Sequence, residues 1–187
     1  MKRVFSSIVL LLAFSFLLVS NAKAGEREDN LVMLAMSGSV DGVRDLLDQG
    51  VDINAKNSTN GCTALANATM VYGLIPGGNY IAVVQLLLAR GADINAICLH
   101  TPLGNMVLHG NVDVVRILID KGADVNKKDD SGNTPLMLVK AKLEGGEFKG
   151  IEKGTDNMLH ITYRPLTPAE SETYTKIVQM LQAAGAK

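Results

Sequence analysis

The chain has 187 residues, 18 Lys and Arg against 19 Asp and Glu, and a net charge of −1. Apolar residues make up 47% of it, aromatics only 4%, and Trp is absent. These figures exclude the basic footprint of a nucleic-acid binder and predict a core built from Leu, Val, Ile, Ala and Met, which suits closely packed helices.

The first 24 residues read as an export signal. Lys2 and Arg3 precede a serine-broken apolar stretch from Val4 to Val19, and Ala22-Lys23-Ala24 gives a small-x-small cleavage end. The apolar part is too short for a comfortable membrane span, which needs about 20 residues. No cysteine lies near the cleavage point, so a lipoprotein anchor is not expected. Cleavage after Ala24 removes three basic residues and leaves 15 against 19, a net charge of −4. One exported domain over 25–187 is predicted, with no membrane span after signal removal, placed in the periplasm or secreted.

A marker then repeats along the chain. Gly50-Val51-Asp52-Ile53-Asn54 recurs as Gly91-Ala92-Asp93-Ile94-Asn95 and Gly122-Ala123-Asp124-Val125-Asn126, and Gly185-Ala186-Lys187 echoes it. Each follows an apolar helical pattern. Upstream of the last three stand Thr63-Ala64-Leu65, Thr101-Pro102-Leu103 and Thr134-Pro135-Leu136. Thr before Pro supplies a hydroxyl N-cap ahead of a residue whose missing N–H costs nothing at the first helical position. Gly after the second helix permits the left-handed stop, and Asp-x-Asn suits the turn that follows. Helices are predicted at about 30–37, 40–49, 63–72, 80–90, 101–109, 111–121, 134–143 and 168–184. Thr167-Pro168-Ala169-Glu170 matches a capping box opening the last.

This organisation resembles the ankyrin repeat, with its T-P-L-H-x-A signature and period of 33. The resemblance implies an all-α solenoid of about four helix-turn-helix repeats, near 28–56, 57–96, 97–128 and 129–187. The family's His is replaced by Ala66, Gly104 and Met137. Thr101 and Gly122 are 21 positions apart, but Thr63 and Gly91 are 28 and Thr134 and Gly185 are 51. Insertions therefore fall at about 73–79 and 144–166. Long loops of this kind are functional or disordered. Met158 to Tyr163 has strand-like composition, and the second insertion reads as a partly ordered flap. Conversely, Asn95 to Thr101 spans 6 positions where Asn126 to Thr134 spans 8.

No catalytic motif is present: no H-E-x-x-H, C-x-x-C, G-x-S-x-G or phosphate-binding glycine loop. Neither a catalytic nor a metal site is expected, nor a cofactor. Cys62 and His100 each precede a repeat's Thr, but neighbouring stacked helices lie roughly 8–10 Å apart, too far for a nucleophile and its base. Cys62 and Cys98 are a possible disulfide, favoured by export and by the shortened hairpin between them; two separate thiols are the alternative.

The resemblance also implies binding through the concave face of first helices and hairpin tips. Met33, Asn67, Asn105 and Leu138 align at one variable position there, and Met36, Met70, Leu108 and Ala141 at another. Ile97 and Leu99 form an apolar middle tip, and Tyr163 lies in the flap. Adaptable Met and contiguous apolar residues mark interaction sites. The expected function is a monomeric, non-enzymatic binding protein that docks on and inhibits or sequesters a partner protein. The expected partner is a periplasmic or exported enzyme, as for an immunity or self-protection factor. The alternative is a haem or small-ligand carrier using His109 or His160.

Overall fold

The computed structural model describes residues 25–72, 78–153 and 159–187, those from 147 to 163 by their backbone. The elements run α1 (Glu26–Met36), α2 (Val40–Asp48), α3 (Ala64–Met70), α4 (Tyr80–Ala89), α5 (Pro102–Leu108), α6 (Val112–Asp120), α7 (Pro135–Gly145), β1 (Glu147–Lys153), β2 (Leu159–Arg164) and α8 (Pro168–Ala183). Consecutive helices pair as α1–α2, α3–α4, α5–α6 and α7–α8. The inner helices α1, α3, α5 and α7 stack in order, while α2 packs on α4 and α6 on α8. The fold is an all-α helical-repeat solenoid that carries one two-stranded excursion.

The local chemistry explains the boundaries. Thr63, Thr101, Thr134 and Thr167 each accept a hydrogen bond from the third helical N–H, of Ala66, Gly104, Met137 and Glu170. A Pro follows three of these caps, and Glu170 completes a capping box at Thr167. The outer helices stop alike: Gly50, Gly91, Gly122 and Gly185 have φ between 81° and 91°. The next residue's N–H reaches back into the helix, as Ala92 to the Leu87 carbonyl and Ala123 to that of Leu118. Only glycine adopts this left-handed state without strain.

Helix α1 begins earlier than the sequence predicts. The residue at its cap position, Gly25, has no side chain to cap it, and Glu26, Glu28 and Asp29 occupy the first turn, where carboxylates are favoured by the helix dipole. At the other end of the stack, α7 extends to Gly145. Gly146 (φ 76°) then turns the chain into β1, where a Cβ would collide with the Arg164 carbonyl. Strands β1 and β2 pair antiparallel from Glu147↔Arg164 to Lys153↔Leu159, with a bulge between Phe148 and Gly150. The strand-like composition of the insertion thus takes form as a hairpin.

Inner helices α3 and α5 have seven residues each. Isolated helices that short are not stable in water, so stacking holds them. Leu31, Leu65, Leu87, Leu103, Leu118 and Ile177 are fully buried in one continuous core, each such side chain contributing about 1.5–3 kcal/mol.

Candidate interaction surface

The Asp-x-Asn markers build the edge of this surface. Asp52, Asp93 and Asp124 each accept from the N–H two residues on, all at 2.9 Å. The Asn then reaches the next repeat. Asn54 accepts from the Asp93 N–H at 2.7 Å, Asn95 from Asp124 at 2.9 Å and Asn126 from Lys187 at 2.9 Å. This ladder fixes the spacing of the tips, and the spacing positions the side chains between them.

The three tips share one backbone pair and close it differently. The N–H of Asn57, Cys98 and Asp129 donates to the carbonyl of the residue before the repeat's Thr: Cys62, His100 and Asn133. In the outer two tips a polar side chain seals the turn. Asn57 accepts from the N–H of Asn60 and Cys62, and Asp129 from those of Ser131 and Asn133. Each of these turns carries a left-handed glycine two before the Thr, Gly61 and Gly132.

The middle tip is two residues shorter than the last and has neither device. Cys98 stands where the sealing side chain should be and is bonded to Cys62, Cα to Cα 5.3 Å, within the range a disulfide bridges. Leu99 stands where the glycine should be, with φ 62°, and no other non-glycine residue described has positive φ. The His100 N–H donates to the Cys98 carbonyl at 2.7 Å across it, making a γ-turn. Leu99 is 57% exposed. Beside it lies an open groove of about 490 Å³, lined among others by Lys56, Asn60, the two cysteines, Asp93, Lys127 and Asp130.

Polar links continue across the tips. His100 Nδ1 is 2.6 Å from Asp129 Oδ2. Burial pushes the Asp129 carboxyl up, but the Asn133 N–H, the His100 ring and the Ser131 N–H outweigh it and hold it below the usual carboxylate range. At the far end Ser58 donates to Asp29 from both its backbone and its hydroxyl, at 2.7 and 2.5 Å. These bonds hold the Asp29 carboxyl low.

The predicted site residues separate into groups. Met33, like Leu99, is exposed; Met36, Met70, Ile97, Leu108 and Leu138 are half-buried. Met70 packs on the disulfide with Ala66, and Leu138 leans over Gly104, its Cδ1 3.1 Å from where a Cβ would sit. Asn67 and Asn105 are corrected: both are buried and present no open surface. Asn67 donates to the Thr63 carbonyl at 3.1 Å and accepts from Asn60, which folds over it, at 2.9 Å. Asn105 donates to Thr69 at 3.2 Å, joining two inner helices. The Tyr163 side chain lies outside the described residues. Met137, at the position of the family's His, is 51% exposed, a site residue that the alignment of variable positions passed over.

His109 is committed to structure. Its Nε2 lies 3.2 Å from the Met70 carbonyl, closing the end of α3. Tyr174 does the same for α5, its hydroxyl donating to the Leu108 carbonyl at 3.1 Å. The side chain of His160, the other ligand expected for haem, lies outside the described residues. Among the described residues no group of three His, Cys, Asp or Glu is placed to hold a metal ion, and no helix is long and apolar enough to cross a membrane.

A family profile for ankyrin repeats in three copies matches residues 75–142. With the paired helices, Thr-Pro caps and Asp-x-Asn ladder, this gives the fold as an ankyrin-repeat solenoid, and ankyrin repeats indicate a protein–protein interaction module. Over 119 residues it is 37% identical to Protein PhlB of Serratia liquefaciens, a match covering 62% of this chain and 49% of that protein. It is 32% identical over 111 residues to the B-cell lymphoma 3 protein homolog of Mus musculus, covering 57% and 22%. A 60-residue stretch is 43% identical to the 2-5A-dependent ribonuclease of Mus musculus, covering 30% of this chain and 8% of the ribonuclease. The chain thus spans about half or less of the length of these relatives.

Proposed function

We propose that this chain is exported, loses residues 1–24, and acts in the periplasm as a non-enzymatic docking protein that occludes or sequesters one partner protein. The partner is an exported or cell-wall-acting enzyme, and the chain serves as its immunity or self-protection factor. One observation carries the reading. The large apolar side chains most exposed among the described residues are Met33, Leu99 and Met137; all three lie on inner helices or a tip, and none on an outer helix. A solvent-facing apolar set confined to one side marks an interaction surface. Polar groups around Leu99 give it the wet rim that surrounds interface anchors.

The test expresses the full-length chain in its own host with a C-terminal tag and recovers it from the periplasmic fraction. The expected product begins at Gly25 and retains one enzyme, whose activity falls in the complex. A triple variant, Met33→Glu, Leu99→Glu and Met137→Glu, should keep its helical spectrum and lose that enzyme. Retention of residues 1–24 in a cytosolic product overturns the export reading. Equal recovery of the partner by the triple variant overturns the surface.

A further inference from the structure

We infer that the Cys62–Cys98 bond is a reversible redox site for a dithiol reductant, and that its opening releases the middle hairpin tip from its left-handed turn. The comparison of the three tips carries this. In the outer two, a glycine adopts positive φ and an Asn or Asp side chain seals the turn, so the loops close by themselves. The middle tip has Leu99 in the glycine's place and Cys98 in the sealing position. Leu disfavours the left-handed region. The covalent bond therefore holds a turn that its own sequence does not favour.

Both cysteines are buried, 5% and 7% exposed, in the wall of the open groove that Lys56, Lys127, Asp93 and Asp130 also line, so a dithiol entering the groove meets the sulfurs as the tip opens. Lysines along the groove favour the entry of an anionic thiolate, and the two carboxylates oppose it. One thiolate of the reductant attacks a sulfur, the Cys62–Cys98 bond breaks, and the departing cysteine sulfur takes up a proton. The reductant's second thiol, as thiolate, then attacks its own sulfur in the mixed disulfide and releases the other cysteine, which is protonated in turn. The protein gains two electrons and two protons, and the dithiol becomes a cyclic disulfide.

The release does not stay local. The Leu99 carbonyl accepts from the Asp130 N–H at 3.3 Å, and the neighbouring His100 holds Asp129 of the last tip. Loosening the γ-turn frees both links. The rim of the interaction surface is thereby coupled to the redox state, while the helices behind it are not.

The test is hydrogen exchange on the purified full chain, with dithiothreitol as the probe and iodoacetamide mass shifts to count thiols. Complete reduction should raise exchange at residues 97–101 and 129–131 about tenfold and leave Val114 to Leu118 of α6 unchanged, the pattern of local rather than global opening. Reoxidation should restore the starting pattern. The double variant Cys62→Ser, Cys98→Ser should match the reduced protein. In Leu99→Gly, reduction should have a much smaller effect, because glycine keeps the turn. Three outcomes overturn the inference: two thiols already free before reduction, unchanged exchange at the tip after reduction, or a rise throughout the stack. The last would make the bond a staple for the whole fold. None of these readouts requires a partner, so they stand or fall separately from the docking reading.

Discussion

His100 and Asp129 face each other between the middle and last tips, Nδ1 to Oδ2 2.6 Å, with the Asp129 side chain only 2% exposed. One oxygen of that carboxylate takes the ring while the other takes two N–H groups of its own loop. A single side chain thus closes one tip and fastens it to its neighbour.

That arrangement makes stability depend on acid. The folded carboxyl lies below its usual value, since its hydrogen bonds outweigh the effect of burial. Its contribution is fully present above the unfolded carboxylate value, about 4, and is lost as pH falls through the lower folded value. Asp129→Ala removes the acceptor of the Ser131 and Asn133 N–H groups and the partner of His100, and should cost roughly 2 kcal/mol at neutral pH. Denaturant melts from pH 7 to pH 2 should show a shallower acid limb in the variant. Parallel limbs would contradict the assignment.

Leu99→Gly should stabilise the oxidised protein. Relief of the left-handed strain is worth about 1–2 kcal/mol, offset by roughly 0.5–1 kcal/mol for the greater freedom of glycine in the unfolded chain. The exposed side chain gives up little burial. A gain of up to about 1 kcal/mol is expected in chemical denaturation, whereas Leu99→Val should lose stability, because a β-branched residue tolerates positive φ still less.

The asparagine ladder predicts a pattern of coupling. Asn54→Ala and Asn126→Ala each remove one link between repeats, at about 1 kcal/mol. These two act on different junctions and should add within about 0.5 kcal/mol. Asn54→Ala and Asn95→Ala share the 93–95 hairpin and should not add. A double-mutant cycle in urea separates the cases.

Gly38 is a position of close approach. It has φ 71°, its carbonyl accepts from the Asn79 N–H at 3.1 Å, and a Cβ on it would sit 2.5 Å from the Gly78 Cα. Gly38→Ala combines left-handed strain with a backbone clash, and a loss of about 3 kcal/mol is expected from thermal melts.

Much of the fold was legible because its signals are local. Thr-Pro caps and left-handed glycines act within one turn of helix, so Thr101, Thr134 and Gly122 mark real boundaries without knowledge of neighbours. The start of α1 was not legible, since no capping side chain announces it and only Glu26, Glu28 and Asp29 favour the turn. The disulfide was half legible: the shortened hairpin hinted at it, but the 5.3 Å approach depends on how two tips align. The burial of Asn67 and Asn105 was hidden for a different reason. It depends on Asn60 folding over one and Thr69 meeting the other, contacts that a linear spacing does not encode.

The ladder of asparagine links also has a mechanical meaning. Force applied along the stack loads the junctions in series, and each noncovalent junction can part on its own. The junction that carries Cys62 and Cys98 cannot lengthen at the tips while the sulfur bond is intact. Under tension the second and third repeats would travel as one stiff block, with extension confined to the flanking junctions.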